Sequence, residues 1–126
     1  MAPSRILVVD DDQGNRFALS KVLTGLGYDV DVAEDGDSAL ELVRNHEYAL
    51  AVLDYRMPGM DGVELYRRIH ANQPDVVGVF LTAFTTIDTV FPAIEAGVTR
   101  VLSKPVDFNE LIPIVQETIG KRSQPA

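Results

Sequence analysis

The stretch ILVVDDDQGN, residues 6–15, joins four apolar residues directly to three consecutive aspartates. An uninterrupted run of leucine and β-branched residues is typical of a strand that is buried on both faces of a parallel sheet. Three aspartates resist burial, so they mark the place where such a strand ends. The sequence therefore predicts a core strand that presents carboxylates at its carboxyl end.

Short apolar runs and helix-period segments alternate along the rest of the chain. The strand-like runs are 5–9, 28–33, 48–53, 76–82 and 100–103, and the helix-like segments are about 14–26, 36–46, 62–71, 86–96 and 107–120. This alternation predicts an α/β fold in which a doubly wound parallel sheet of five strands is covered by helices on both faces.

Composition limits the classes of protein to which the chain can belong. It has 126 residues, which is the usual size of one domain, and we expect a single core over about residues 4–120 with a frayed tail or linker start at 121–126. The net charge of −8 argues against direct contact with nucleic acid, since phosphate contacts require clusters of lysine and arginine. Cysteine is absent, and no apolar run has the length of a membrane span or a signal peptide, so we expect a cytoplasmic protein without membrane contact.

Polar residues follow four of the five predicted strands at the point where each strand ends. They are Asp10, Asp11 and Asp12 after the first strand, Asp54 at the end of the third, Thr82 at the end of the fourth and Lys104 after the fifth. In doubly wound sheets the functional site lies at the carboxyl ends of the strands, where the strand order reverses. With the order 2-1-3-4-5, that reversal falls between the first and third strands, which carry the carboxylates.

The residue types indicate the chemistry of this cleft. Two carboxylates about 4 Å apart repel by about 4 kcal/mol at an effective dielectric near 20, so a cluster of them requires a counter-charge. Lys104 supplies one positive charge, and oxygen ligands alone favour Mg²⁺ as a second. Asp54 then remains as a nucleophile able to form an aspartyl phosphate, with Thr82 and Lys104 as partners for the phosphoryl oxygens.

Four motifs in the same order resemble the receiver domain of two-component response regulators. They are VVDDD at 8–12, LDYRMPGMDG at 53–62, LTA at 81–83 and KP at 104–105. The resemblance covers about residues 4–120 and implies a flavodoxin-like sheet with strand order 2-1-3-4-5.

The resemblance also implies a role for each acidic residue. Asp54 corresponds to the phosphorylated aspartate, Asp11 to a direct Mg²⁺ ligand and Asp10 to a ligand that acts through water. The backbone carbonyl of Arg56 corresponds to a further ligand. Asp12 has no such role in the family and is interpreted as a charge at the start of a helix.

The function implied by the resemblance is phosphorylation-dependent signalling. A sensor histidine kinase or a phosphotransfer protein is expected to supply the phosphoryl group, and hydrolysis to remove it. The domain then switches its surface and acts on a protein target or on a domain outside this chain. It is expected to assist only its own phosphorylation and dephosphorylation rather than to act as an enzyme on other substrates. The Lys104–Pro105 peptide is expected to be cis, by resemblance and because cis bonds are largely confined to proline.

Three departures from the family pattern bear on the switch. Val101 stands where the family usually has tyrosine or phenylalanine, which predicts weaker coupling between phosphorylation and the fifth strand. Pro92 and Pro113 lie inside the last two helical segments and predict helices that are kinked, shortened or late-starting. Arg56 and Phe84, two residues past Asp54 and Thr82 respectively, occupy positions that influence the lifetime of the phosphoryl group in the family.

Three other classes of protein share part of this pattern. A haloacid-dehalogenase-type phosphatase has an Asp-x-Asp motif, which Asp10 and Asp12 supply, but it continues with Gly-Thr where this chain has Gln13 and Gly14. A flavodoxin-like FMN carrier requires a phosphate-binding loop after the first strand, and three aspartates there repel phosphate. A degenerate receiver that acts only as an interaction module would lack site residues that are all present here.

Overall fold

The computed structural model describes residues 4–83, 95, 97 and 100–120 of the chain. Its strands are β1 Arg5–Val9, β2 Asp29–Ala33, β3 Leu50–Asp54, β4 Val77–Thr82 and β5 Arg100–Ser103. Its helices are α1 Gln13–Gly25, α2 Gly36–Asn45, α3 Gly62–Asn72 and α4 Phe108–Ile119. The predicted helical segment at 86–96, which includes Pro92, lies outside the described residues apart from Glu95.

The five strands form one parallel sheet in the order β2-β1-β3-β4-β5, as the sequence predicts. Because β1 and β3 are neighbours and the chain leaves them in opposite directions across the sheet, the order reverses between them. Asp10 and Asp54 therefore stand side by side at the carboxyl edge. No helix in the described part of the chain is long and apolar enough to cross a membrane.

Helices cover both faces of the sheet and bury two separate apolar layers. On one face, α1 and α4 pack through Leu19, Leu23, Leu111, Ile114 and Val115. On the other face, α2 and α3 pack through Ala39, Val43, Leu65, Tyr66 and Ile69. Burial on both faces explains why β1 and β3 are almost wholly apolar in sequence.

β3 begins two residues later than its apolar run, and the first residue of that run, Tyr48, has its backbone partner outside the sheet. The Tyr48 N–H donates to Oε1 of Gln73 at 2.8 Å instead of to a neighbouring strand. The Nε2 group of Gln73 donates in turn to the carbonyls of Val43 and His46, at 3.0 and 2.8 Å. One side-chain amide thus joins the end of α2, the start of β3 and the end of α3. We call this arrangement the Gln73 clamp.

The helix that contains Pro113 is neither shortened nor late-starting, and a kink at Pro113 stays a prediction. α4 begins directly after its N-cap Asp107, whose side chain accepts from the Asn109 N–H, and it continues through Pro113 to Ile119. A proline removes only one backbone N–H from the helix. The buried side chains on either side of it, Leu111 and Ile114, hold this part of α4 against the sheet.

Candidate functional site

Three carboxylates meet at the carboxyl edge of the sheet. One carboxylate oxygen from each of Asp10, Asp11 and Asp54 can be chosen so that all three lie within 4.8 Å of one another. Asp10 and Asp54 are buried, with 1% and 6% of their surface exposed, whereas Asp11 is exposed. The predicted acidic cluster therefore exists, and it combines two buried carboxylates with one that faces solvent.

Lys104 supplies the positive charge of this site, as the sequence predicts. Its Nζ lies 3.1 Å from Oδ1 of Asp54 and 3.2 Å from Oδ2 of Asp10. The backbone N–H of Lys104 donates to the carbonyl of Thr82 at 2.8 Å, which fixes the residue against the end of β4. The Lys104–Pro105 peptide is cis, which confirms that prediction.

The backbone around Asp54 is held on both sides. The N–H of Tyr55 donates to the carbonyl of Leu81 at 2.9 Å, and the N–H of Gly62 donates to the carbonyl of Tyr55 at 2.9 Å. A Cβ at residue 62 would lie 2.5 Å from the carbonyl oxygen of Asp54, so only glycine allows α3 to begin this close to the strand. Thr82 is buried at the adjacent end of β4.

The β1–α1 loop orients Asp10 and separates it in role from Asp12. The backbone N–H of Asp12 donates to Oδ1 of Asp10 at 2.8 Å, and Nη1 of Arg16 donates to the carbonyl of Asp10 at 2.6 Å. Asp12 is the N-cap of α1, and its side chain accepts from the Asn15 N–H at 2.8 Å. This placement confirms the interpretation of Asp12 as a charge at the start of a helix.

The cluster holds more carboxylates than positive charges, and this shifts the pKa values of its members. Burial, followed by the charge of Asp10 and a hydrogen bond with Asp11, raises the pKa of Asp54 to about 6, against the opposing effect of Lys104. Burial alone would lower the pKa of Lys104. The hydrogen bond to Asp54 and the charge of Asp10 outweigh that effect and raise it. The lysine therefore stays charged while the buried carboxylates remain under mutual repulsion.

The donor set fits a divalent cation. Within the described residues, Oδ2 of Asp10 is buried and accepts no hydrogen bond, because the Lys104 ammonium meets it as an ion pair without hydrogen-bond geometry. A buried carboxylate oxygen in this condition is costly unless it meets another positive charge or a bound water. Three carboxylates against one lysine leave the site acidic, and oxygen atoms alone suit Mg²⁺.

The response regulator receiver domain family matches this chain over residues 6–116. The chain is a receiver domain. Receiver domains of two-component response regulators are signalling phosphoacceptor domains, which bind Mg²⁺ in an acidic pocket and take phosphoryl groups from histidine kinases.

Relatives of known sequence are longer than this receiver domain. Transcriptional regulatory protein ZraR of Salmonella typhimurium is 40% identical over 116 residues, which are 92% of this chain and 25% of ZraR. Response regulator MprA of Mycobacterium sp. strain KMS is 36% identical over 121 residues, which are 96% of this chain and 53% of MprA. The chain thus spans between a quarter and about half of the length of these relatives.

Solved structures show the same fold. A CheY-like receiver domain protein from Methanospirillum hungatei is 27% identical, with a TM-score of 0.87 and coverage of 94% of both chains. Response regulator TrrA from Thermotoga maritima, solved in complex with Mg(2+)-BeF, is 33% identical, with a TM-score of 0.81 and coverage of 91% of this chain and 98% of TrrA.

The remaining predicted site residues that the structure describes stand at or near the same edge of the sheet. Arg56 follows Asp54 by two residues in the exposed loop before α3, and Pro105 follows Lys104. Val101 lies in β5 opposite Phe80 and packs against the apolar layer beneath α3. Phe84 lies outside the described residues.

Sequence reasoning missed three residues that shape the surroundings of the site. Arg16 fixes the Asp10 carbonyl, and no local motif indicates that contact. Tyr66 is buried under α3 against Gly78 of β4. A glycine inside a strand pattern does indicate a close approach by another group, so Gly78 offered a signal, although it did not say which residue approaches.

Proposed function

We propose that this receiver domain accepts a phosphoryl group on Asp54 from a histidine kinase or a phosphotransfer protein, in a Mg²⁺-dependent reaction. The observation that carries the proposal is the position of Asp54, which stands at the end of β3 beside the carboxylates of Asp10 and Asp11 and pairs with the Lys104 ammonium that Asp10 shares. The domain comprises the whole chain, with its core over about residues 4–120. We place its action in the cytoplasm.

The chain's own residues account for the transfer step. A carboxylate oxygen of Asp54 attacks the phosphorus of the donor and forms the acyl phosphate bond, while the bond between phosphorus and the donor's histidine nitrogen breaks and that nitrogen keeps the electron pair. Lys104 pairs with a phosphoryl oxygen, and the Thr82 hydroxyl donates to another. Asp11, Asp54 and the carbonyl of Arg56, with Asp10 acting through a water, would hold Mg²⁺, which would supply positive charge against the repulsion between the acids and the phosphoryl group.

The same residues return the domain to its resting state. Water attacks the phosphorus, inorganic phosphate leaves, and the Asp54 carboxylate is restored. From the family pattern we infer that the residue types at positions 56 and 84, arginine and phenylalanine, modulate the lifetime of the phosphoryl group. Reactions on other substrates form no part of the proposal.

An apolar surface beside the site supports docking of the phosphodonor. Phe17 of α1 and Val32 of β2 are the large hydrophobic side chains that stand exposed in the described residues, at 56% and 43%. They line one open cavity of about 690 Å³ together with Arg16 and Lys21. Because Arg16 also contacts the Asp10 carbonyl, this surface adjoins the carboxylates. Its cationic rim on a chain of net charge −8 suits an apolar and acidic face of a kinase.

The output passes through protein contacts rather than through nucleic acid bound by this domain. The new dianionic group on Asp54 pairs with Lys104 and Thr82 and so biases the ends of β4 and β5. The target is a separate protein or a domain outside this chain. The length of ZraR and MprA beyond the matched region supports the second arrangement.

Intact mass spectrometry after incubation with acetyl phosphate tests the assignment of Asp54. The wild type is expected to gain one acid-labile phosphoryl group with Mg²⁺ and none with a chelator. Asp54→Asn keeps the shape of the side chain but removes the nucleophile, and it is expected to gain none. Labelling of Asp54→Asn at the wild-type rate would show that the site is assigned wrongly.

Phosphotransfer from a kinase tests the docking surface separately. Phe17→Ala is expected to slow transfer from the fastest histidine kinase in a panel by about 10-fold or more, as for loss of an interface anchor. Its labelling by acetyl phosphate is expected to stay at the wild-type rate. Arg67→Ala, on the exposed side of α3, serves as the control. Equal transfer to the Phe17 and Arg67 variants would exclude this surface.

A further inference from the structure

β5 leads directly into Lys104, and one of its four side chains is buried. It is a four-residue edge strand in which Leu102 is buried, Val101 is partly buried, and Arg100 and Ser103 are exposed. Val101 is also smaller than the aromatic residue that the family usually has at this position. Since Lys104 follows β5 directly, whatever holds β5 also determines where the lysine ammonium stands.

Tyr66 of α3 reaches across the sheet toward the chain ahead of β5. Its side chain is almost wholly buried, and its hydroxyl donates to the carbonyl of Gly97 at 3.3 Å. Gly97 precedes β5 by three residues and has a φ of +96°, a conformation that glycine adopts without strain. The described residues thus contain one direct link from α3 to the segment that leads into β5.

Gly78 makes room for this link. A Cβ on residue 78 would overlap ring carbon Cε1 of Tyr66, so the ring lies directly on the backbone of β4. The Tyr66 ring also meets Phe80 edge-on, with centroids 6.2 Å apart, and Phe80 meets Tyr55 edge-on at 5.8 Å. Tyr55 directly follows Asp54. A continuous set of aromatic contacts therefore runs from the residue beside Asp54 to the residue that holds Gly97.

We propose that Tyr66 is a positioning residue of the Asp54 site, whose hydroxyl holds the chain at Gly97 and thereby sets where β5 and Lys104 stand relative to Asp54. The assignment rests on the proposed function and specifies how the site is regulated. Phe80 lies opposite Val101 in the sheet and two residues before Thr82. Movement of the ends of β4 and β5 toward a phosphoryl group on Asp54 therefore acts on the Tyr66–Phe80 contact and on the Gly97 bond.

The hydrogen bond from the Tyr66 hydroxyl to the Gly97 carbonyl has a length that allows it to differ between the resting and the phosphorylated domain. At 3.3 Å it is longer than the 2.5–3.0 Å usual for a hydroxyl donor, so a small displacement breaks or shortens it. A buried hydroxyl left without a partner is unfavourable, so the two arrangements differ in free energy. The bond therefore contributes to the balance between the two arrangements, and a phosphoryl group on Asp54 shifts that balance if it interacts better with one of them.

Tyr66→Phe tests the proposal, because it keeps the ring and removes only the hydroxyl. Loss of one hydrogen bond is expected to speed hydrogen exchange of β5 amides in the resting domain by about 3- to 10-fold. Labelling of Asp54 by acetyl phosphate is expected to slow by a similar factor, since Lys104 is held less firmly. The affinity for Mg²⁺, measured by calorimetry, is expected to stay unchanged because the aspartates are untouched.

Tyr28→Phe is a matched control. The hydroxyl of Tyr28 also donates to a glycine carbonyl, that of Gly120, at 2.9 Å, and Tyr28 is likewise buried. This variant is expected to lose a comparable amount of thermal stability without a change in β5 exchange or in the labelling rate. Equal effects of the two variants on β5 exchange and labelling would overturn the proposal, because a general loss of stability would then explain both results.

Two outcomes separate this inference from the proposed function. Unchanged β5 exchange in resting Tyr66→Phe, with Asp54 of the wild type labelled as expected, would refute the role of Tyr66 alone. Absence of labelling on Asp54 in the wild type would refute the proposed function. The exchange of resting β5 still tests the Tyr66–Gly97 link in that case, because it requires no phosphoryl group.

Discussion

Two groups of acidic, basic and hydroxyl side chains lie at opposite ends of this sheet, and they differ in charge balance. The first, toward the amino ends of the strands, has one acid, one base and one hydroxyl, which are Asp31, Arg5 and Tyr48. The second, at the carboxyl edge, has three acids, one base and one hydroxyl, which are Asp10, Asp11, Asp54, Lys104 and Thr82. In the first group, the Asp31 carboxylate meets Nη1 of Arg5 at 3.2 Å and accepts from the Tyr48 hydroxyl at 2.7 Å. One negative and one positive charge cancel there, and the hydroxyl is satisfied.

The carboxyl edge has more acids than bases. Lys104 is shared between Asp10 and Asp54, Asp11 stands beside them, and the pKa of Asp54 is raised to about 6. In the first group, burial and the bond to Asp31 raise the pKa of the Tyr48 hydroxyl, which keeps it a donor. The balanced group thus has the character of a structural contact, whereas the excess of acids at the carboxyl edge suits the cation and the phosphoryl group of the proposed function.

Loss of the lysine is expected to have the largest effect. Lys104→Met removes the chain's own positive charge from the acceptor site, so labelling by acetyl phosphate is expected to slow by about 100-fold, as for removal of one stabilising donor. Arg5→Met removes the positive charge of the balanced group and is expected to leave the labelling rate unchanged. Equal rates for Lys104→Met and wild type would show that Lys104 takes no part in transfer.

The free energy of unfolding is expected to depend on Asp31 and not on Asp54, which is the reverse of their expected effects on labelling. Asp31→Ala leaves the buried Tyr48 hydroxyl and the Arg5 guanidinium without their partner, and it is expected to lower the free energy of unfolding by about 2 kcal/mol. Asp54→Ala removes a repelled charge and is expected not to lower it. Urea unfolding at pH 7 in a chelator measures both. A loss for Asp54→Ala as large as that for Asp31→Ala would contradict the charge imbalance at the carboxyl edge.

Mg²⁺ is expected to stabilise the domain through the unbalanced group alone. A cation present at tenfold its dissociation constant adds about 1.4 kcal/mol to the free energy of unfolding. Asp11→Ala is expected to lose most of this gain, whereas Asp31→Ala keeps it on a lower baseline. Thermal melting with and without Mg²⁺ provides the measurement. An undiminished gain in Asp11→Ala would place the cation elsewhere.

The smallest effect is a pH dependence that arises from Asp54. The pKa of this carboxyl rises from its ordinary value of 3.8 in the unfolded chain to about 6 in the folded one, so the folded state binds more protons between these values. Stability therefore falls as pH rises through this range. The difference between wild type and Asp54→Asn in a chelator isolates this effect. A difference that is constant from pH 4 to 7 would contradict it.

Much of the fold was predictable because burial on both faces leaves a simple signal. The apolar runs at 5–9 and 100–103 match β1 and β5, and the carboxylates, threonine and lysine at the strand ends predicted one edge of the sheet. The late start of β3 was not predictable in this way, because the Tyr48 N–H bonds to Gln73, 25 residues away in sequence. Propensity and periodicity describe neighbours along the chain rather than such distant partners.

The candidate site likewise contains residues that the sequence predicts and one that it does not. Asp10, Asp54 and Lys104 were predictable from their positions at strand ends, since the sheet order alone brings them together. Tyr66 was not, because its role depends on the alignment of α3 over Gly78 and on the distance to Gly97. A contact between two elements that cross at an angle has no fixed spacing in the sequence.

The Gln73 clamp has a mechanical consequence for the whole sheet. It fixes the start of β3 and the turn that leads into β4, because one amide bonds the Tyr48 N–H and the carbonyls of Val43 and His46. The clamp thus holds the central strand β3 at its amino end, whereas Asp54 stands at its carboxyl end. β5 lies at the edge of the sheet outside this anchorage, so we expect the clamp to restrain β3 more than the strand that leads into Lys104.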